Sequence, residues 1–199
     1  MSKRVSVSIK GMSPLLMHRF PMVPVEGLQN MPPEEQAMHA EYRDPDTKEL
    51  FIPGPAVQQC LVAGATYVKG KGRGSAQKVV AASVLVMEER LGLGVKTYEI
   101  DSRPVVISAT QGRIIRHRPK LAEWAVSFTI TYDEKLLKEV DLRKVVDNAG
   151  SMCGLLDYRP SKKGPFGRFI VTEWTVEKDD EPEIDLPMEE EEGEEENGK

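Results

Sequence analysis

With 199 residues, 40% of them hydrophobic and 30% charged, the chain is long enough for one well-buried core and has the composition of a soluble protein. It holds no run of about 18 apolar residues and no signal-peptide core after Met1-Ser2-Lys3-Arg4. Its two cysteines (Cys60, Cys153) and three scattered histidines (His18, His39, His117) offer no zinc spacing, so a cytoplasmic protein without membrane span, metal or cofactor is expected. The net charge of −5 conceals a segregation: residues 177–199 carry 13 acids against two lysines, while the preceding 176 residues carry 19 acids against 25 Lys and Arg.

Arg4 to Lys10 alternates, with Val5, Val7 and Ile9 on one face, and predicts a half-buried strand. Residues 18–50 are rich in Pro and Met, with a short helical pattern at Pro33–Ala40 and a turn at Asp44-Pro45-Asp46. They are too short to own a core, which makes them an inserted arm. Phe51-Ile52-Pro53-Gly54-Pro55 opens a helix whose apolar face is Val57, Cys60, Leu61, Gly64 and Val68. Gly64 on that face is expected to let the helix close on a sheet. Lys69 to Ser75 alternates cations with glycine and reads as a mobile, positive loop. Lys78 to Met87 fits helix or strand by period, and its valines favour strand in the second half.

Arg103 to Ser108 and Arg113 to His117 predict two strands around a turn at Thr110-Gln111-Gly112, and Ala125 to Tyr132 is the clearest strand of the chain. Asp141 is the expected N-cap of a helix striped by Leu142, Val145, Val146 and Ala149, and Gly150 is its expected left-handed terminus. A loop rich in glycine and lysine then leads to a last strand, Arg168 to Val176. The acidic tail, residues 177–199, cannot bury apolar surface and is expected to be disordered. The order strand, helix, strands, strand, helix, strand predicts an α+β, ferredoxin-like βαββαβ core within residues 1–176.

Positive charge is gathered into three segments nearly free of acids, which hold 12 of the body's 25 Lys and Arg. The first contains Lys69, Lys71, Arg73 and Lys78. The second, Gly112 to Lys120, contains Arg113, Arg116, His117, Arg118 and Lys120. The third, Tyr158 to Thr172, contains Arg159, Lys162, Lys163 and Arg168. Two of them follow helices and the middle one is a strand, so the expectation is a sheet edge between two cationic loops, a trough for one phosphodiester backbone. Phe166, Tyr158 and Trp124 are the aromatics placed to stack on bases. No strongly basic helix is available for a major groove, which disfavours a duplex. Catalytic readings are weaker: nothing brings a histidine to Cys153, His18 has no evident partner, and the glycine loop lacks the Gly-Lys-Ser/Thr ending of a P-loop.

Ala149-Gly150, Gly154-Leu155, Arg159-Pro160 and Gly164-Pro165-Phe166-Gly167-Arg168-Phe169 resemble the glycine-rich loop before the last strand of the repeat-associated mysterious protein (RAMP) superfamily, the RRM-like proteins of CRISPR effector complexes. Phe51-Ile52-Pro53-Gly54-Pro55-Ala56 is similar to the Ile-Pro-Gly-Ser-Ser opening of the first helix in that superfamily's backbone subunits, with Pro55 and Ala56 in place of the serines. No aspartate matches the RNA-cleaving position of the type III backbone subunits. The resemblance implies an RRM-like palm that binds single-stranded nucleic acid, often in a filament of like subunits, with residues 18–50 as an arm reaching a neighbour. The acidic tail resembles instead those of bacterial and phage single-strand DNA-binding proteins, which regulate occupancy and recruit replication factors.

Together these readings predict a non-catalytic phage or mobile-element protein that coats single-stranded DNA or RNA, DNA first. It is expected to be a homo-oligomer whose tail competes for the groove and meets replication or recombination proteins. The alternatives are a CRISPR-type subunit gripping guide RNA, an RNA-processing nuclease using His18 or His117, and a phage structural or scaffolding protein.

Overall fold

The computed structural model describes residues 2–20, 27, 30–70, 74–106 and 112–177, which form a mixed α+β fold with antiparallel sheets. In chain order its elements are β1 (Ser2–Gly11), β2 (Leu15–Leu16), α1 (Pro33–Ala40), β3 (Phe51–Pro53), α2 (Gly54–Gly64), α3 (Gln77–Ser83), β4 (Val84–Val86), β5 (Arg90–Gly92), β6 (Glu99–Val106), β7 (Arg113–Leu121), β8 (Ala125–Asp133), α4 (Glu139–Asn148) and β9 (Phe169–Glu177). The expected turn at Thr110-Gln111, the acidic tail beyond Glu177, Lys71, Arg73 and much of the first part of the arm lie outside the described residues. Among the described residues no helix is long and apolar enough to cross a membrane.

Alternation builds the main sheet, whose order is β4-β8-β1-β9. Val5, Val7 and Ile9 of β1 lie opposite Ile130, Phe128 and Val126 of β8, and all six are buried. Their covered face meets the apolar stripes of α2 (Val57, Cys60, Leu61) and α4 (Leu142, Val145, Val146) in one core cluster. Each such aliphatic side chain contributes about 1.5–3 kcal/mol on leaving water. The other face carries Ser6, Ser8, Ser127, Thr129 and Thr131, with Ser6 bonded to Glu177 at 2.8 Å and Ser8 to Glu173 at 2.9 Å. A second sheet, β2-β7-β6, stands apart from the first, and α1 packs on it with Ala37 and Ala40 buried. The helix of the expected arm therefore folds back onto this sheet, while Tyr42 to Leu50 bond to the β3–β5 pair and Val95.

The run from Lys78 divides as its valines suggest: α3 ends at Ser83, whose Oγ donates to the Val79 carbonyl at 2.7 Å, and Val84 to Val86 pair with β8. Three local expectations are corrected. Gly64 closes α2 on α4 instead of on a sheet, since a Cβ there would come 2.6 Å from the Val145 carbonyl and 2.7 Å from the Ala149 nitrogen. Asp141 is not the N-cap. The helix begins at Glu139 after Lys138, because a turn anchored on the Asp133 carbonyl delivers the chain earlier, and Asp141 sits in the first turn, 2.9 Å from Lys144. Gly150 does not end the helix in a left-handed conformation; a wider π-turn runs from Ala149 to Cys153, and the positive φ of 73° falls on Gly154. Gly150 lacks a side chain because the Phe169 backbone passes against it.

Candidate nucleic-acid interface

The loop between α4 and β9 is fastened on both sides. Leu155 N donates to Gly167 O at 2.9 Å, Gly167 N to Pro14 O at 2.9 Å, Asp157 N to Leu16 O at 3.0 Å and Gly164 N to Arg159 O at 3.0 Å. Within it Leu156, Tyr158 and Lys163 adopt positive φ of 58°, 46° and 62°. Such left-handed residues cost about 1–2 kcal/mol each and persist only where the surroundings fix them. The result is a stiff loop that presents Lys162, Lys163 and Arg168 to solvent, with no acidic partner among the described residues. Arg159 is tied inward, its Nε 2.9 Å from Ser161 Oγ.

A chain of charged groups joins this loop to the second sheet. Arg118, 4% exposed, donates from Nη1 to Asp157 Oδ2 at 2.5 Å and lies 3.6 Å from Asp101. Asp101 in turn binds Arg103, whose guanidinium lies 4.8 Å from the centroid of Phe166 and 5.5 Å from that of Tyr158. Arg116 Nη1 is 2.7 Å from His18 Nε2, and His18 Nδ1 is 3.4 Å from Asp157. An arginine can only donate, so Nε2 accepts and Nδ1 carries the proton toward Asp157. Burial opposes ionisation of Asp157, but the bonds from His18 and the Tyr158 amide and the charge of Arg118 outweigh it and hold its carboxyl below the usual carboxylate range.

Between His18, Tyr42, α2 and the loop opens a cleft of about 260 Å³, lined also by Gln59, Arg159 and Ser161. Cys60 and Cys153 form part of its floor. Burial pushes both thiols up, and Cys60 Sγ points at the Gly154 carbonyl 3.2 Å away, so neither is a poised nucleophile.

The described cations of the three segments do not share one trough. The second and third meet through the charged chain just described. The described part of the first lies at the far end, because α2 and α4 run antiparallel: Cys60 meets Ala149 and Gly154, Gly64 meets Val145, and Lys69 stands by Asp141 in the first turn of α4. The sheet gives the same separation. Phe169, where the glycine loop ends, pairs with Gly11, whereas Val84 pairs with Tyr132 and through it with Lys3. Eight residues of extended strand between Lys3 and Gly11 span about 26 Å. Lys69 and Lys78 are exposed at that distant pole.

Within the middle segment two of the four cations are answered by carboxylates, Arg118 by Asp157 and Lys120 by Glu99 at 2.8 Å, while Arg116 is oriented by its bond to His18. Arg113 is exposed at the start of β7. The aromatics also depart from expectation. Phe166 is 7% exposed beneath Arg103, and Trp124 is 5% exposed over Gly11 with Nε1 bonded to Ser13 O, so neither offers an open face; Tyr158 is partly open. Sequence reasoning missed Asp101, Gln59 and Tyr42. The available signal was Asp157, the lone acid in a basic loop.

No protein-family model and no curated protein matches the chain.

Proposed function

We propose that this protein binds single-stranded nucleic acid without cleaving it, gripping the phosphate backbone at the glycine loop and the adjoining cleft. The observation that carries this reading is the stiff loop that exposes Lys162, Lys163 and Arg168, with no acidic partner among the described residues, and whose Arg159 and Ser161 line a cleft together with His18. Cations carried on a backbone that is already held attract phosphates with no further cost of ordering the loop. The first turn of α2 contributes Ala56 to the same cleft, and the positive end of a helix favours an anion there. His18 acts in positioning, since both of its ring nitrogens are engaged. The grip therefore uses two of the three cationic segments, and the pole around Lys69 and Lys78 is left out of it.

The order β4-β8-β1-β9, with α2 and α4 on one face, supports a ferredoxin-like βαββαβ core. Together with the Phe51–Ala56 opening of α2 and the loop before β9, that order favours the RAMP-like reading. The hydroxyl-rich outer face of the sheet has no aromatic platform, so the strand belongs at the loop and not across the sheet. Association of copies belongs to the same proposal, and among the described residues no strand pairs with the outer edge of β9.

The test is fluorescence polarisation with labelled single-stranded DNA, single-stranded RNA and duplex of one length, at low and physiological salt. We expect both single strands to bind more tightly than duplex and to weaken as salt rises. Equal or tighter duplex binding, or no binding, contradicts the proposal.

A further inference from the structure

Next to the cleft, and sharing Tyr42 with it, lies a second hollow of about 470 Å³ between the end of the β1–β2 segment and the β3–β5 pair. None of the cations expected from the sequence lines it. Phe51 and Tyr42 form its aromatic wall, with ring centroids 5.9 Å apart. The Arg90 guanidinium lies 5.5 Å from the centroid of Phe51 and is held there by Asp44 at 2.8 Å. Asp44 is itself fixed by the amides of Asp46 and Thr47, both 3.0 Å from its Oδ1. Arg19 stands exposed at the rim, with no acidic partner among the described residues.

The Arg90 guanidinium, over the phenyl ring and tethered by a carboxylate, remains 47% exposed to solvent. Flat heteroaromatic rings, nucleobases among them, stack on exposed guanidinium planes. Arg19, exposed on the same hollow, supplies a cation for the phosphate of the same nucleotide. The volume falls within the range of small-ligand sites.

We propose that this hollow is a base-binding subsite: a nucleobase stacks on the Phe51–Arg90 platform while its phosphate meets Arg19. The ligand class is a base-bearing nucleotide, in a strand or free. For a strand the proposal rests on the backbone grip above, since the shared Tyr42 wall lets one chain run from the glycine loop into the second hollow.

The test compares an oligodeoxyadenylate with a deoxyribose-phosphate chain of equal length that lacks bases. The full protein should favour the base-bearing chain about tenfold. Arg90→Lys keeps the charge but loses the plane, and should bring that preference close to unity while leaving affinity for the baseless chain unchanged. A preference that survives Arg90→Lys overturns the subsite. Should that variant lose its fold, quenching of a 2-aminopurine-containing strand by the wild-type protein decides: a drop in fluorescence upholds the stack, and no drop overturns it. If neither chain binds, the backbone grip has failed and adenosine monophosphate becomes the probe. Shifts in the Phe51 ring protons then uphold the hollow as a nucleotide site, and their absence overturns it.

Discussion

Arg118 lies in the middle of the most basic strand of the chain, yet its guanidinium is buried against Asp157 and faces Asp101 across the β6–β7 register. Removing the carboxylate would leave a buried cation unanswered, so Asp157→Asn should cost about 3 kcal/mol in urea unfolding at neutral pH. A change below 1 kcal/mol would show that the pair contributes little. The sign of the pH effect follows from the direction of the shift. Asp157 holds its proton more weakly in the folded state than in the unfolded chain, so its stabilisation is complete above the ordinary carboxylate value of about 4 and is lost as pH falls toward the lower folded value. Wild-type stability should therefore drop on acidification below about pH 4, and the Asp157→Asn profile should be flatter there. Parallel profiles would contradict this. Charge density alone made Arg118 look available. Its partner Asp101 sits 17 positions away in sequence and is opposite only through strand register, which no local pattern reveals.

Elements with strong periodicity were legible. β1, α1, β8 and the α4 stripe fall where alternation and helical spacing predict them, because one buried face selects each pattern. Element ends were less so, since Asp141 and Gly150 have the right chemistry for caps but tertiary contacts set the boundaries. Gly64 tests this packing directly. Its bare Cα lets α2 touch α4, so Gly64→Ala must push two helices apart and should cost about 2 kcal/mol in thermal or urea unfolding. Gly74 has open space around it, and Gly74→Ala should stay within about 0.5 kcal/mol of wild type. Equal effects of the two substitutions would refute the tight helix contact.

At the scale of the molecule, the described exposed cations of the first and third segments stand at two poles about 26 Å apart along β1. Counting charges along the chain showed three clusters, but the antiparallel course of α2 and α4 sends the loops after them to opposite ends, and charge counting carries no helix direction. The acidic residues begin at Glu177, which pairs with Arg4 at the pole away from the glycine loop. If those acids compete with nucleic acid, a chain ending at Glu177 should bind single strands several-fold more tightly at low salt, and unchanged affinity would remove that role. The decisive measurement is the salt dependence of single-strand affinity in two variants. Replacing Lys162, Lys163 and Arg168 by Ala should reduce the slope of log affinity against log salt by about 2–3, whereas Lys69→Ala with Lys78→Ala should leave it unchanged. An unaltered slope in the first variant, or equal losses in both, would contradict a backbone grip at the glycine loop.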